Sequence, residues 1–299
     1  MKQYDDLPGD GGSDILGQVV RQQGRIQKSL AGLRNIVAVA SGKGGVGKST
    51  VTLLLASSLQ RLGRRVAALD CDFNGPSLAR MAGLQNARVI PGERGMEVPR
   101  TLSGIGILSL GGLIPEDEAV DFPSVASGDS FTWRATREFT LLGDLLAGTD
   151  WTPFDLLLLD LPPGNERAFQ YAEYFGPAAV FLLVSLPSAV SLGVVRRSVA
   201  SIGKGRARLI GYVLNMDGYR CPGCNSLQPL FRQAAGDELP VERLGGIPFD
   251  PALSAGCDSG KLGGTDAPAV SEVDEIGRKL IDRLEVGDST NASAAGSER

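Results

Sequence analysis

The segment Ser41-Gly42-Lys43-Gly44-Gly45-Val46-Gly47-Lys48-Ser49-Thr50 has the residue types and spacing of a phosphate cradle. It fills every fixed position of the pattern G-x-x-x-x-G-K-[ST] and adds a second lysine, Lys43. Glycines let the backbone curl until successive N–H groups face phosphate oxygens, and the helix that starts there adds its positive dipole end. Lys48 is then placed to reach the β- and γ-phosphates, and the Ser49 hydroxyl, with Thr50 beside it, to ligate Mg²⁺. An ordinary glycine-rich turn lacks the flanking elements found here: an apolar, β-branched run over 35–40 and an apolar-periodic stretch over 51–62.

Asp70 and Asp72 follow a second apolar run (65–69), and Asp160 follows another (155–159). At a strand's carboxyl end beside a phosphate loop, a carboxylate coordinates Mg²⁺ or orients the attacking water. Aspartate is also a common helix N-cap and turn former. On an extended chain Asp70 and Asp72 share one side and Cys71 points away, which makes Cys71 a packed thiol.

Cys221-Pro222-Gly223-Cys224 is a further candidate, because Pro-Gly suits the centre of a type II turn and brings both thiols to one side. Spacing alone leaves open a redox dithiol, half a zinc site, half an iron–sulfur site, or a turn without a ligand. The chain has four cysteines and no histidine, so the simplest completion of a four-thiolate site is the same pair from a second copy, across a symmetric dimer.

The elements that must position these residues read as a β-α-β rhythm. Runs at 35–40, 65–69, 105–110, 155–159, 178–184 and 209–214 are apolar at nearly every position, as strands buried on both faces are. The expected fold is α/β: a three-layer P-loop NTPase with a mainly parallel sheet flanked by helices on both faces, its site at the strands' carboxyl ends. Residues 1–33 read as a flexible segment with a short helix after residue 14, 34–286 as the nucleotide-binding domain, and 287–299 as a disordered tail. Residues 86–130, rich in Gly, Pro and charge, form an excursion with a short extra strand or two. A net charge of −4 argues against nucleic acid, and no apolar run is long enough to span a bilayer. With aspartates and glycines where a signal peptide carries its apolar core, the expectation is a cytoplasmic protein. The absence of histidine removes serine–histidine triads and histidine metal ligands.

Taken together, these motifs resemble the Mrp/ApbC family of iron–sulfur carrier ATPases, within the MinD/ParA/Mrp class whose phosphate loop carries the extra lysine. The resemblance runs through residues 70–77 (D-x-D-x-x-G-P-S), Trp133-Arg134, Asp160 to Gly164 (D-x-P-P-G), Asn215-Met216 with the cysteine pair, and residues 246–250 and 257–260, covering about 34–285. It implies a homodimer that binds ATP and Mg²⁺ and carries a labile [4Fe–4S] cluster between paired Cys221 and Cys224 thiolates, handed on to apo iron–sulfur proteins with cluster-assembly factors as partners. Lys43 would contact the partner subunit's nucleotide, Asp72 would position water, Asp70 and Asp160 would support Mg²⁺ and the switches, and Asn215 would approach the adenine.

This chain departs from the family pattern at Asn165-Glu166-Arg167, where T-G-D is usual, at Ala135-Thr136 after Trp-Arg, and at Asn225 after the second cysteine. A second, permanent cluster is not expected, since the N-terminal cysteines of some relatives are missing. The alternative reading is a MinD/ParA-like positioning or regulatory ATPase, opposed by the acidic balance and by a C-terminal stretch without a basic amphipathic helix.

Overall fold

Alternating side chains of each central strand enter two separate cores. In β1 (Asn35–Ala40), Ile36, Ala38 and Ala40 face one core while Val37 and Val39 face the other. Such a strand is apolar throughout because helices cover both faces. The computed structural model describes residues 15–112, 131–204, 207–221, 223–224, 226–231, 239–262 and 269–296; the leader over 1–14, residues 113–130 of the excursion and residues 297–299 lie outside them.

The described elements begin with α1 (Ile15–Leu30) and β1, then α2 (Lys48–Arg61), β2 (Val66–Asp70) and α3 (Leu78–Met81). A hairpin, β3 (Ile90–Gly92) with β4 (Gly95–Glu97), and β5 (Gly106–Leu108) follow. Next come α4 (Phe131–Gly148), β6 (Leu156–Asp160), α5 (Asn165–Phe175), β7 (Val180–Ser185) and α6 (Ala189–Ile202). Then β8 (Arg208–Arg220), β9 (Leu227–Gln228), β10 (Arg243–Phe249), α7 (Pro251–Asp258) and α8 (Val270–Gly296) complete the described elements.

The main sheet has the order β10-β8-β7-β1-β6-β2-β5, parallel throughout, with β9 added antiparallel to the far end of β8. One face is covered by α2 and α8, through Leu55, Leu59, Val273, Ile276 and Leu280; the other by α4, α5 and α6, through Leu142, Leu146, Tyr171, Val195 and Ile202. Strand β1 lies between β7 and β6, so the chain leaves it in both directions across the sheet and opens a crevice at its carboxyl end.

Three features differ from the sequence expectation. β8 runs on through the polar residues 215–220, which composition reads as loop, because β10 and β9 supply backbone partners there. β10 itself is hidden by its glycines. Gly245 is required by α8, since a Cβ there would lie 2.5 Å from Ile276 Cγ1. Finally, α8 continues to Gly296 where a disordered tail is expected; extending a helix already anchored by packing avoids the cost of nucleation, and small residues do not oppose it.

Trp151, fully buried, donates its Nε1–H to the Leu146 carbonyl at 3.0 Å and fixes the turn that leads into β6. Trp151→Ala is expected to cost about 3–5 kcal/mol in urea denaturation followed by far-UV circular dichroism.

Candidate functional site

The phosphate loop is shaped by what presses on it. Gly47 caps α2 in the left-handed region (φ 78°), and a Cβ there would lie 2.2 Å from Asn215 Nδ2. A Cβ on Gly42 would lie 2.3 Å from Val194 Cγ1 of α6. Gly44 and Gly45 are exposed at the mouth of the loop, Val46 is buried beneath it, and Lys43 is half-buried with no salt bridge among the described residues. Thr50, in the first turn of α2, has its Oγ1 3.7 Å from Cys257 Sγ.

Asp160, at the end of β6, forms the floor. Its Oδ1 accepts from Lys48 Nζ at 2.6 Å and from Thr52 Oγ1 at 2.9 Å, and its Oδ2 accepts from Ser49 Oγ at 2.6 Å. Backbone bonds knit the same region together: Gly164 N–H donates to the Ser41 carbonyl at 2.9 Å, and Cys71 N–H to that of Asp160 at 3.0 Å. Ser49 and Asp160 thus bring two hard oxygens together beside the loop, a donor set that suits Mg²⁺.

The acids after β2 sit in different environments. β2 ends at Asp70 and the chain then turns, with Gly75 N–H donating to the Asp72 carbonyl, so Asp70 and Asp72 do not act as a matched pair on one extended strand. Asp70 is buried and accepts from the amides of Ser77 (2.9 Å), Leu78 (3.0 Å) and Asp72 (3.1 Å) and from Ser109 Oγ (2.9 Å). It organises the loop. Burial first, and the Asp160 charge second, push its pKa up to about 7. Asp72 is half-buried. Cys71 is buried, and desolvation pushes its thiol up, in keeping with a packed cysteine.

Asn215 is 6% exposed and donates Nδ2–H to the Val46 carbonyl at 2.9 Å, so it braces the loop from below. Next to it Met216 takes a left-handed φ of 55°, the one non-glycine residue to do so among those described. Residues 216–218 bulge from the β8–β10 register, where Asn215 pairs with Ile247 and Tyr219 with Phe249.

Beyond the bulge, β8 and β9 pair Tyr219 with Gln228 and Arg220 with Leu227, and Cys221 N–H donates to the Ser226 carbonyl at 2.9 Å. The cysteine pair therefore sits at the tip of a hairpin, with Pro222 and Asn225 outside the described residues. Cys224 is exposed, 2.9 Å from Ser226 Oγ; hydrogen bonds from Ser226 and then from Cys221 hold its thiol below the usual range. Arg220 ties the hairpin to Glu272 of α8 at 2.8 Å. Among the described residues no third potential ligand joins the pair.

Comparison with known proteins supplies the family. Residues 32–284 match the ParA family described as NUBPL iron-transfer P-loop NTPase. The chain belongs to that family. This NTPase is 35% identical to the cytosolic Fe-S cluster assembly factor NUBP2 of Bos taurus, over 87% of its own length and 96% of the relative's. It is 30% identical to the iron-sulfur cluster carrier protein of Methanocaldococcus jannaschii, over 89% and 91% of the two chains. Among solved structures, an Archaeoglobus fulgidus nucleotide-binding protein in complex with ADP superposes with a TM-score of 0.68 at 29% identity, covering 83% of this NTPase and 95% of that chain. The cell division ATPase MinD of Pyrococcus furiosus shares the fold, with a TM-score of 0.58 at 21% identity over 84% of this chain and 99% of its own. The sheet, the flanking helices and the family are thus those the sequence motifs point to.

Two outcomes follow from the site chemistry. The folded protein holds the Asp70 proton up to about pH 7, whereas an unfolded aspartate releases it near 3.8, so the stability this group contributes is full below about pH 4 and lost as the pH rises through 7. Thermal denaturation of nucleotide-free protein should show the wild type losing stability relative to Asp70→Asn between about pH 5 and about pH 8; parallel profiles would contradict this. In alkylation by iodoacetamide, mass spectrometry should find Cys224 labelled first and Cys71 last.

Proposed function

We propose that this protein is an ATP-hydrolysing carrier that holds a labile [4Fe–4S] cluster across a homodimer and hands it to apo-proteins in the cytoplasm. One strand carries the reading: β8 braces the phosphate loop through Asn215 and then presents Cys221 and Cys224 at the tip of its hairpin. Nucleotide and cysteine sites so joined are what a cluster carrier requires. The names of its relatives, cytosolic Fe-S cluster assembly factor and iron-sulfur cluster carrier protein, support the same reading, as does the ADP complex of its structural neighbour.

In this reading the backbone amides from Gly42 to Thr50 bind the phosphates. Lys48, with its ammonium held at the floor by Asp160, neutralises their charge, and Ser49, Asp160 and Asp72 hold Mg²⁺. Mg²⁺, when bound, draws charge from the β- and γ-phosphates. Asp72 orients the attacking water, and Lys43, free of ion pairs within its own subunit's described residues, reaches the partner's nucleotide. Two thiolates from each subunit complete the cluster's ligand set, and the exposed Leu227 and Leu230 beside the hairpin give the dimer apolar contact.

The test is iron and acid-labile sulfide, with visible absorption, on anaerobically reconstituted protein. About four of each per dimer, lost in Cys221→Ala/Cys224→Ala, is the expected result. Zinc, or no metal in a dimer that binds ATP, would refute it. Lys48→Ala should lower ATP hydrolysis by about a hundredfold or more while leaving cluster content intact; loss of both together would argue against separable sites.

A further inference from the structure

An ion pair that the phosphate-binding residues leave unused joins α5, through α4, to the loop that carries Asp72. Arg167 Nη2 of α5 lies 2.5 Å from Glu138 Oε2 of α4, with the two side chains 16% and 7% exposed. The other oxygen, Glu138 Oε1, accepts from Asn74 Nδ2 at 3.2 Å, and Asn74 lies two residues beyond Asp72. One turn along α5 from Arg167, the buried Tyr171 donates its hydroxyl to the Cys71 carbonyl at 3.4 Å. Residues i and i+4 of one helix face thus hold the chain on both sides of Asp72.

The far end of this linkage is also pinned. α5 starts at Asn165, directly after Gly164, whose N–H is bonded to the Ser41 carbonyl, and Asn165 Oδ1 accepts from Ser198 Oγ of α6. A continuous path therefore runs from the phosphate loop through the head of α5 to the Asp72 loop. We propose that Arg167 and Glu138 are positioning residues for nucleotide hydrolysis, an ionic clasp that sets the Asp72 loop against α5. The proposal rests on the ATPase reading above.

Chemistry favours this role over a general stabilising one. A buried ion pair contributes little beyond what apolar residues of the same volume supply, but it dictates geometry, and removing either partner leaves the other charge uncompensated. The clasp also accounts for the tripeptide Asn165-Glu166-Arg167, where the family pattern places a carboxylate at 167: an acid there would face Glu138 and repel it.

The experiment compares steady-state ATP hydrolysis and amide deuterium exchange over residues 70–78 in the full chain, Glu138→Gln, Arg167→Gln and the charge-swapped double variant E138R/R167E. Each single change should lower kcat about tenfold or more, with KM for ATP within about twofold, and should speed exchange of the loop about tenfold; the swap, in which Asn74 turns its amide so that Oδ1 accepts from the arginine at 138, should recover a large part of both. Iron and sulfide content should stay unchanged. Should a single variant fail to fold, Asn74→Ala, which leaves the Arg167–Glu138 pair intact, carries the same expectation of faster exchange and lower kcat. Unchanged kcat, an effect on KM alone, or unaltered exchange would overturn the proposal. A wild-type chain that hydrolyses no ATP would instead sink the ATPase reading, and loop exchange alone would then judge the clasp.

Discussion

The interaction on which the rest of the site depends is the buried pair of Lys48 and Asp160, 2.6 Å apart at the junction of α2 and β6. Neither charge has water to fall back on. Each is stabilised by the other and by hydroxyls, from Ser49 and Thr52, that complete the carboxylate's hydrogen bonding. Breaking such a pair from one side typically costs about 3–5 kcal/mol, so the geometry is held firmly before any ligand arrives. The pair also joins two segments far apart in the chain, and the backbone bond from Gly164 to Ser41 repeats that connection one residue beyond β1. The phosphate loop and the segment that follows β6 are consequently tied together at two points.

Around that junction the other acids are sorted by burial. Asp160 has a cation beside it; Asp70, equally deep, has only amides and a hydroxyl, and it lies close enough to Asp160 for its charge to be disfavoured. Asp70 therefore shapes the loop from Asp72 to Leu78, while Asp72 is less deeply placed. Two carboxylates separated by one residue stand in different environments because the strand stops between them.

Distance between the phosphate loop and the cysteine hairpin is bridged by a single strand. Asn215 presses on the loop at Val46, the chain bulges at Met216 to Gly218, and Tyr219 and Arg220 re-enter the ladder to carry the hairpin. A bulge with a left-handed non-glycine residue is a place where strand direction is re-aimed at some conformational cost. It lies between the two sites, and Arg220 fastens the outer end to α8. The ladder is paired on either side and irregular in the middle.

The local code is explicit where function needs particular residue types in consecutive positions. The glycines and lysines of 42–50, the aspartates at strand ends, the cysteine pair, and the doubly buried strands could be read directly, since short-range geometry and hydrophobic period dictate them. Partners chosen across the fold were not legible. That Asn215 braces the loop, that Asp70 serves the backbone, that residues 215–220 and 243–249 are strands, and that Arg167 meets Glu138 and through it Asn74 all depend on which elements become neighbours. Sequence by itself determined the chemistry on offer and the class of fold, because those follow from residue type and period. Only the tertiary structure decided which carboxylate meets which cation and which polar stretch finds a ladder, because burial and pairing are set by other segments, some of them more than a hundred residues away, as Asp160 is from Lys48.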